Sequence, residues 1–302
     1  MIIRDKPKPW ELLFIIRGSI IPKIWPQLLA VFVLSLLVTV SEAHGLIRSN
    51  PILPLPFSLI GIALSIFAGF RNSASYERWW EARKLIGQMV MEARSLSRQA
   101  HAYLDNSAAE TVTRQTIAFV HALRCHLRDE PMDADVLKYS ALQAAQNMPN
   151  AQNLPNVIVN NMSRTIAAGV TAGTLSPQIA QLFEERLYGL SSVLAGTERI
   201  KTTPLPYAYS LLLHRTAYAF CFLLPFGLAD STGSWAPLLA AIVAYTFFGL
   251  DALGDELAMP FSKTENSLPL SAISRTIEIN LLEQMGEVNL PPAILPDGFV
   301  LS

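Results

Sequence analysis

The chain has 302 residues, of which 51% are hydrophobic and 16% are charged, against about 25% charged in an average soluble domain. This balance indicates a membrane protein that also has a large water-facing part. The net charge of −1 gives no reason to expect a nucleic-acid partner, because phosphate binding requires a basic surface. The two cysteines, Cys125 and Cys221, suggest no disulfide framework.

Four apolar stretches are candidates for membrane spans. A full crossing needs about 20 residues at about 1.5 Å each, and only the first and third stretches reach that length. Short apolar runs also occur as buried helices of soluble proteins, but their arrangement in two pairs favours the membrane. The N-terminal segment lacks the apolar core and cleavage site of a signal peptide. The spans are predicted at about 27–47, 56–72, 207–229 and 234–252.

The positive charges predict the orientation of these spans. Residues 1–25 hold five Lys or Arg and residues 71–203 hold fourteen, whereas the connections 48–55 and 230–233 hold only Arg48. Cytoplasmic loops carry the excess of positive charge, and the short N-terminal arm carries most of the weight because long loops cross largely regardless of charge. We therefore expect both termini and the segment of about 73–203 in the cytoplasm.

The second span passes into a polar helix without a break. Residues 57–70 carry no charge, and the polar sequence from Arg71 onwards follows with no proline or turn cluster between. Within the span, Ile62, Ile66 and Phe70 are four residues apart and share one helical stripe. Spacing alone favours helix packing for this stripe, although apolar constrictions also gate channels by dewetting.

The middle of the chain is predicted to be helical and the tail extended. The polar stretch 147–156 is rich in Asn and Pro and is predicted to be a loop. A further helix opens with Ser176 as its cap and Pro177 at its first position. The proline-rich tail of about 286–302 cannot be helical. The other cytosolic helices are predicted at 74–104, 111–128 and 134–146.

Two further groups of residues attract attention. Arg215 lies inside the third span, where a charge is costly, so we expect it to pair with an acid such as Asp251 or Glu42. His121, Cys125 and His126 offer soft ligands, but zinc needs four ligands, or three and a water, and no fourth lies nearby in sequence. We expect no metal, no cofactor and no enzymatic activity.

Three motifs in this order resemble the bestrophin family, including its bacterial branch. They are GFRNSASYERWWEARKLIG (69–87), TTPLPYAYSLLLHRTAYAFCFLLPFGL (202–228), and YTFFGLDALGDELAMPF (245–261) followed by LPLSAISRTIEINLLE (268–283). The resemblance covers nearly the whole chain. It implies an all-α membrane protein with four spans and a large helical cytosolic region, built as one unit over residues 1–302 and assembled as a homopentamer around one central pore.

The resemblance also assigns roles to residues. Ile62, Ile66 and Phe70 fall on the positions that form the family's apolar pore neck. Gln178 or Ile179 falls at its cytosolic aperture, and the sequence leaves open which of the two. The dense acidic run with which eukaryotic members bind calcium is missing here, because Asp255, Glu256 and Glu265 are scattered; we therefore expect no calcium activation. By the same resemblance the C-terminal tail is expected to lie on a neighbouring subunit.

The resulting hypothesis is a passive channel for small monovalent ions in the cell inner membrane, whose partners are its own copies, inorganic ions and the lipid bilayer. Arg71 and Glu77 are the candidates for pore electrostatics. Arg71 either favours anions or is neutralised by a nearby acid, and we expect a slight preference for anions such as chloride. The alternatives are a cation channel of the same fold and a non-conducting membrane scaffold that binds a cytosolic partner.

Overall fold

The structure is a computed structural model that describes residues 1–4, 8–12, 14–16, 18–46, 54–140 and 151–302. These residues are mainly helical, with two isolated β-bridges and no strand, as the all-α prediction requires. Residues 48–53 of the predicted connection 48–55, residues 141–146 of a predicted helix and the start of the predicted loop 147–156 lie outside them. The helices are α1 (Pro9–Leu12), α2 (Ile21–Ala43), α3 (Pro54–Tyr103), α4 (Asn106–Arg128), α5 (Ala134–Tyr139), α6 (Leu154–Thr171), α7 (Pro177–Thr202), α8 (Tyr207–Thr232), α9 (Ala236–Ala258) and α10 (Leu270–Gln284).

Within the described residues, three helical segments are long and apolar enough to cross a membrane: Ile21–Ala43, Pro56–Tyr103 and Tyr207–Ala258. The third contains both α8 and α9, which a short 3₁₀ turn at Gly233–Trp235 separates. Gly233 has a positive φ of 55° there, which glycine adopts at no steric cost. Helix α2 begins before the predicted span because Pro22 lies in its first turn, where the missing amide hydrogen is not needed.

The described chain forms two compact units. The span unit consists of Arg4–Trp79 and Pro204–Met259, and the helical unit consists of Met1–Ile3, Trp80–Thr203 and Pro260–Ser302. Helix α3 is continuous over 50 residues and contributes its first half to the span unit and its second half to the helical unit. The predicted passage of the second span into a polar helix is therefore present in the structure.

The core of the span unit is apolar and aromatic. Helices α2, α8 and α9 pack on one another, and Phe220 contacts the rings of both Phe57 and Phe247. A Cβ atom at Gly227 would lie 2.8 Å from the ring of Phe57, so α3 and α8 can approach here only because α8 has no side chain at that position. The residues buried in this core are Ile24, Val31, Leu64, Leu213, Ala217, Phe220, Cys221, Leu224, Ala240, Ala244, Phe247 and Phe248.

Helix α4 is the central element of the helical unit. It packs against α5, α6, α7 and α10, and most of its side chains are buried. Asp105 caps its N-terminus by accepting hydrogen bonds from the amides of Ser107 and Ala108, both at 3.0 Å. A carboxylate at this position satisfies amides that have no partner within the helix and also interacts favourably with the helix dipole.

The carboxylate of Glu278 lies in the centre of this unit and is fully buried. His121 contacts it at 3.0 Å, the Tyr139 hydroxyl donates to it at 2.7 Å, and Arg275 pairs with it at 2.9 Å. Burial by itself would raise the pKa of Glu278, but its hydrogen bonds and the nearby positive charge outweigh burial and hold that pKa below its usual value. Burial and the hydrogen bond to Glu278 raise the pKa of Tyr139.

The C-terminal tail contains no helix after Gln284. Its last residues lie on their own chain: Ile3 donates to the carbonyl of Phe299, and Leu301 donates to the carbonyl of Met1, each at 2.8 Å. The amide of Ala272 also donates to the carbonyl of Ser302. An extended course on a neighbouring subunit therefore stays a prediction only for the part of the tail that precedes Phe299.

Candidate functional site

One face of α3 presents apolar side chains away from the core of its own unit. Ile62, Ile66 and Phe70 have exposed fractions of 60%, 52% and 64%. Only 11% of the apolar window of this segment is buried, against 33% for Tyr207–Ala258. Among the candidate spans, α3 is therefore the one that its own chain covers least.

The opposite face of the same helix is buried. At about 100° per residue, Leu64, Arg71 and Ser75 lie about 180–220° away from Ile62, and all three are buried. Leu64 belongs to the apolar core described above. Because the core holds α3 by this face, the stripe of Ile62, Ile66 and Phe70 faces outwards from the unit.

Arg71 occupies the buried face and is held by two acids of α9. Its guanidinium donates to the Asp251 carboxylate at 2.7 Å and to the Asp251 carbonyl at 3.1 Å, and it also pairs with Asp255. Asp251 in turn contacts Nδ1 of His214, on α8, at 2.7 Å. Asp251 and Asp255 are four residues apart and thus share one face of α9.

A glycine of α9 makes room for these polar groups. A Cβ atom at Gly254 would lie 2.5 Å from Oδ1 of Asn72 and 3.2 Å from a guanidinium nitrogen of Arg71. Side chains of α3 therefore lie directly over the backbone of α9 at this point. Two further polar contacts in the same unit join Lys23 to Glu256, and Arg78 to the carbonyl of Ala258 at 2.7 Å.

The two candidates for pore electrostatics differ in their surroundings. Arg71 is 3% exposed and its charge is compensated by Asp251 and Asp255, so the structure favours the neutralised alternative for this residue. Glu77 is exposed, lies within about 20° of Ile66 and Phe70 around the helix, and pairs with no cation among the residues that the structure describes. The exposed face of α3 therefore carries a negative charge on the C-terminal side of its apolar part.

The prediction that Arg215 pairs with an acid such as Asp251 or Glu42 is wrong. Asp251 is already engaged by Arg71 and His214, and no ion pair joins Arg215 to Glu42 or to any other acid within the described ranges. Arg215 is instead exposed on α8. Sequence reasoning missed Asp251 and Asp255 as partners of Arg71, although their shared helical face was visible in the sequence.

The two candidates for the aperture lie at the start of α7. Ser176 caps this helix by accepting from the amide of Ile179 at 3.3 Å, as its sequence predicts. Gln178 is exposed, whereas Ile179 is partly buried. Exposure makes Gln178 the more accessible of the two side chains.

The soft-ligand cluster considered from the sequence does not come together. His126 contacts Glu198 at 2.9 Å, whereas His121 contacts Glu278 at 3.0 Å. Cys125 is buried and lies 3.5 Å from a guanidinium nitrogen of Arg124. The three residues have separate partners, so they do not form a metal site with one another.

Comparison with known proteins identifies a family and individual proteins to which this chain is similar. A family described as Bacterial/Fungal Bestrophin protein matches residues 1–283. The voltage-dependent anion channel-forming protein mll4386 of Mesorhizobium japonicum is 40% identical over 98% of this chain and 95% of its own. The voltage-dependent anion channel-forming protein YneE of Escherichia coli K12 is 39% identical over 98% of each chain.

Solved structures show the same similarity in three dimensions. A crystal structure of a bacterial bestrophin homologue from Klebsiella pneumoniae superposes with a TM-score of 0.83 at 36% identity, over 88% of this chain and all of that one. Two single-residue variants of that homologue superpose about as well, and both have a TM-score of 0.82 over 87% of this chain. The first is 37% identical to this chain and the second is 36% identical. The agreement in fold therefore extends over most of the chain.

Proposed function

The chain belongs to the bacterial and fungal bestrophin family, and we propose that it is a membrane ion channel in which several copies of this chain surround one pore. The observation that carries this proposal is the outward-facing stripe of Ile62, Ile66 and Phe70 on α3. Around a shared axis these side chains form an apolar neck that ions cross by partial dehydration. The chemistry is passive, and no covalent step is involved.

The exposed polar residues of the span unit support assembly of several copies. Arg215 lies about eight residues inside α8 and is exposed without a partner among the described residues, although a lipid-facing charge is costly. A neighbouring copy or a water-filled path would remove that cost. We propose a homopentamer, and the mass of the complex purified in detergent tests it; a monomer or dimer would contradict the proposal.

The proposed topology has four spans in the cell inner membrane. The 52-residue segment Tyr207–Ala258 would supply two of them, because the turn at Gly233–Trp235 separates α8 from α9. Both termini would lie in the cytoplasm, in agreement with the positive charges of the N-terminal arm. Cysteine labelling of intact cells at the chain ends and at the Gly233–Trp235 turn tests this orientation.

Different observations favour an anion and a cation as the conducted ion. The relatives mll4386 and YneE are named as anion channel-forming proteins, and this favours chloride as the main permeant ion. The exposed carboxylate of Glu77 and the neutralised charge of Arg71 favour a cation channel, which is the second candidate. A reversal potential across a tenfold salt gradient separates them, because perfect selectivity gives about 59 mV with a sign that identifies the ion.

Ion flux into liposomes tests the neck itself. Ile66→Ala shortens an exposed side chain of the stripe and is expected to raise the flux, because a wider and less apolar neck stays wetted. Ile60→Ala is a matched control, since Ile60 is the same residue type, is 44% exposed on the same helix, and lies about 120° away from Ile66. Equal effects of the two variants would contradict the neck, and silence of wild type and variants would favour the scaffold.

A further inference from the structure

We propose that His121, Asp133 and Asp135 bind one divalent transition-metal ion of the zinc type in the helical unit. The three residues can each offer one ligand atom, and these atoms lie within 4.8 Å of one another. They come from α4, from the residue that caps α5, and from the first turn of α5. This set differs from the His121, Cys125 and His126 cluster that the sequence suggested.

The imidazole of His121 supplies the observation that points to a ligand. His121 is 1% exposed, and its Nδ1 atom has no hydrogen-bond partner. The nearest carboxylate oxygen of Asp135 lies 4.0 Å away, which is too far for a hydrogen bond. A buried polar atom without a partner is costly, so an ion or proton at this position would satisfy it.

The second ring nitrogen of His121 is arranged as in known metal sites. Nε2 lies 3.0 Å from the carboxylate of Glu278, which is itself fixed by Tyr139 and Arg275. Histidines that bind metals usually donate their other ring hydrogen to a carboxylate, which fixes the tautomer and orients the ring. Donation from Nε2 to Glu278 leaves a lone pair on Nδ1, which lies 4.0 Å from an oxygen of Asp135.

The balance of charges around these three residues also favours a bound cation. Asp133 pairs with Arg124, and Asp135 and Glu278 both pair with Arg275 at 3.0 and 2.9 Å. Three carboxylates thus contact two guanidinium groups, and the ammonium group of Lys138 reaches Glu278 only through the Tyr139 hydroxyl, at 2.7 Å. With a neutral His121, one carboxylate charge has no direct cationic partner. A second proton on His121 would balance this charge without a metal, and that arrangement is the outcome that would overturn the proposal.

The ligand types favour zinc over calcium or magnesium. One imidazole and two carboxylates, completed by a water, form a four-coordinate set that zinc accepts, whereas calcium needs six to eight oxygens. Tetrahedral ligands at zinc distances are about 3.3 Å apart, so the three side chains must move inwards by about an ångström. Asp133 accepts from the Val136 amide through Oδ1 and from Arg124 through Oδ2, and the ion would share the latter oxygen.

Metal analysis of the purified full-length protein in detergent tests the site. After treatment with a chelator and dialysis against zinc chloride, wild type is expected to retain about one zinc per chain. His121→Gln and Asp135→Asn are each expected to lower zinc affinity at least tenfold. His126→Gln, on the same helix but paired with Glu198, is the matched control and is expected to retain the metal. Cobalt(II) in place of zinc should give the visible absorption of a four-coordinate site, and His121→Gln should abolish it.

Two results would overturn the proposal. Wild type that retains no more zinc than His121→Gln would show that a proton, and not a metal, satisfies the imidazole. Zinc that remains bound in both His121→Gln and Asp135→Asn would place the metal elsewhere on the chain. If His121→Gln fails to fold, Asp133→Asn together with Asp135→Asn decides the question, because an asparagine at 133 keeps the oxygen that caps α5.

Discussion

Replacing Arg71 by methionine should destabilise the span unit more than the loss of an exposed ion pair would. Arg71 is 3% exposed, and Asp251, its main partner, has a side chain that is 11% exposed. Breaking a buried pair by removing one partner leaves an uncompensated charge and costs about 3–5 kcal/mol. The Asp255 side chain is 62% exposed, so its share of the interaction is screened by water and contributes about 1 kcal/mol or less.

Thermal unfolding of the purified protein in detergent measures this effect. At about 2–4 °C per kcal/mol, Arg71→Met should lower the midpoint by about 6–20 °C. Asp255→Asn should lower it by only a few degrees. Arg199→Met is the matched control, because Arg199 pairs with Glu81 and their side chains are 66% and 42% exposed; its midpoint should scarcely change.

A double variant separates the lost pair from the lost side chain. Arg71→Met combined with Asp251→Asn removes the stranded charge and should be more stable than Arg71→Met alone. His214 keeps a hydrogen-bond acceptor in that variant, because the Asn amide oxygen can replace the carboxylate oxygen that it contacts at 2.7 Å. Equal unfolding temperatures for Arg71→Met and Arg199→Met would contradict the cost assigned to breaking the buried pair of Arg71 and Asp251.

Two smaller changes test local features of the fold by the same measurement. Gly254→Ala places a Cβ atom 2.5 Å from Oδ1 of Asn72 and should cost about 1–3 kcal/mol, whereas Gly249→Ala on the same helix meets only an ordinary contact at 3.5 Å; equal midpoints for the two would show that α9 can shift away from α3. Asp105→Ala removes the cap of α4 and should cost about 1 kcal/mol, while Asp105→Asn should retain most of the stability; no difference between them would assign the loss to charge and not to the cap.

Several helices of this protein were predictable because their signals are local, whereas α6 and α10 were not predicted and the first residues of α6 were expected to belong to a loop. The apolar runs, the unbroken passage of the second span into polar sequence and the Ser176–Pro177 start of α7 all depend on neighbouring residues. The spacing of Ile62, Ile66 and Phe70 likewise predicted a stripe. It did not predict whether that stripe faces the core, because the packing of Leu64 against α8 and α9 determines the rotation of α3.

The partners of the buried charges were not predictable from local sequence. Arg71 and Asp251 are separated by 180 residues, and His121 and Glu278 by 157. Any acid at a similar depth was a candidate partner for Arg71 or Arg215, and Asp251 was expected to pair with Arg215. In the structure Asp251 pairs with Arg71, since α9 approaches α3 over Gly254 and brings Asp251 and Asp255 to the buried face of α3.

Because Asp251 and Asp255 compensate the charge of Arg71, Glu77 is the candidate on α3 whose charge can affect ion selectivity. Glu77 lies seven residues beyond Phe70, which is about 10 Å along the helix and slightly more than the screening length of about 8 Å at physiological ionic strength. In the proposed channel its carboxylate would act on ions beside the neck and not within it. Glu77→Gln should therefore shift the reversal potential towards that of an anion channel, and the shift should shrink as the salt concentration rises. A shift that is independent of salt would mean that the charge acts inside a dehydrated neck, where screening is weak, and would contradict this placement of Glu77.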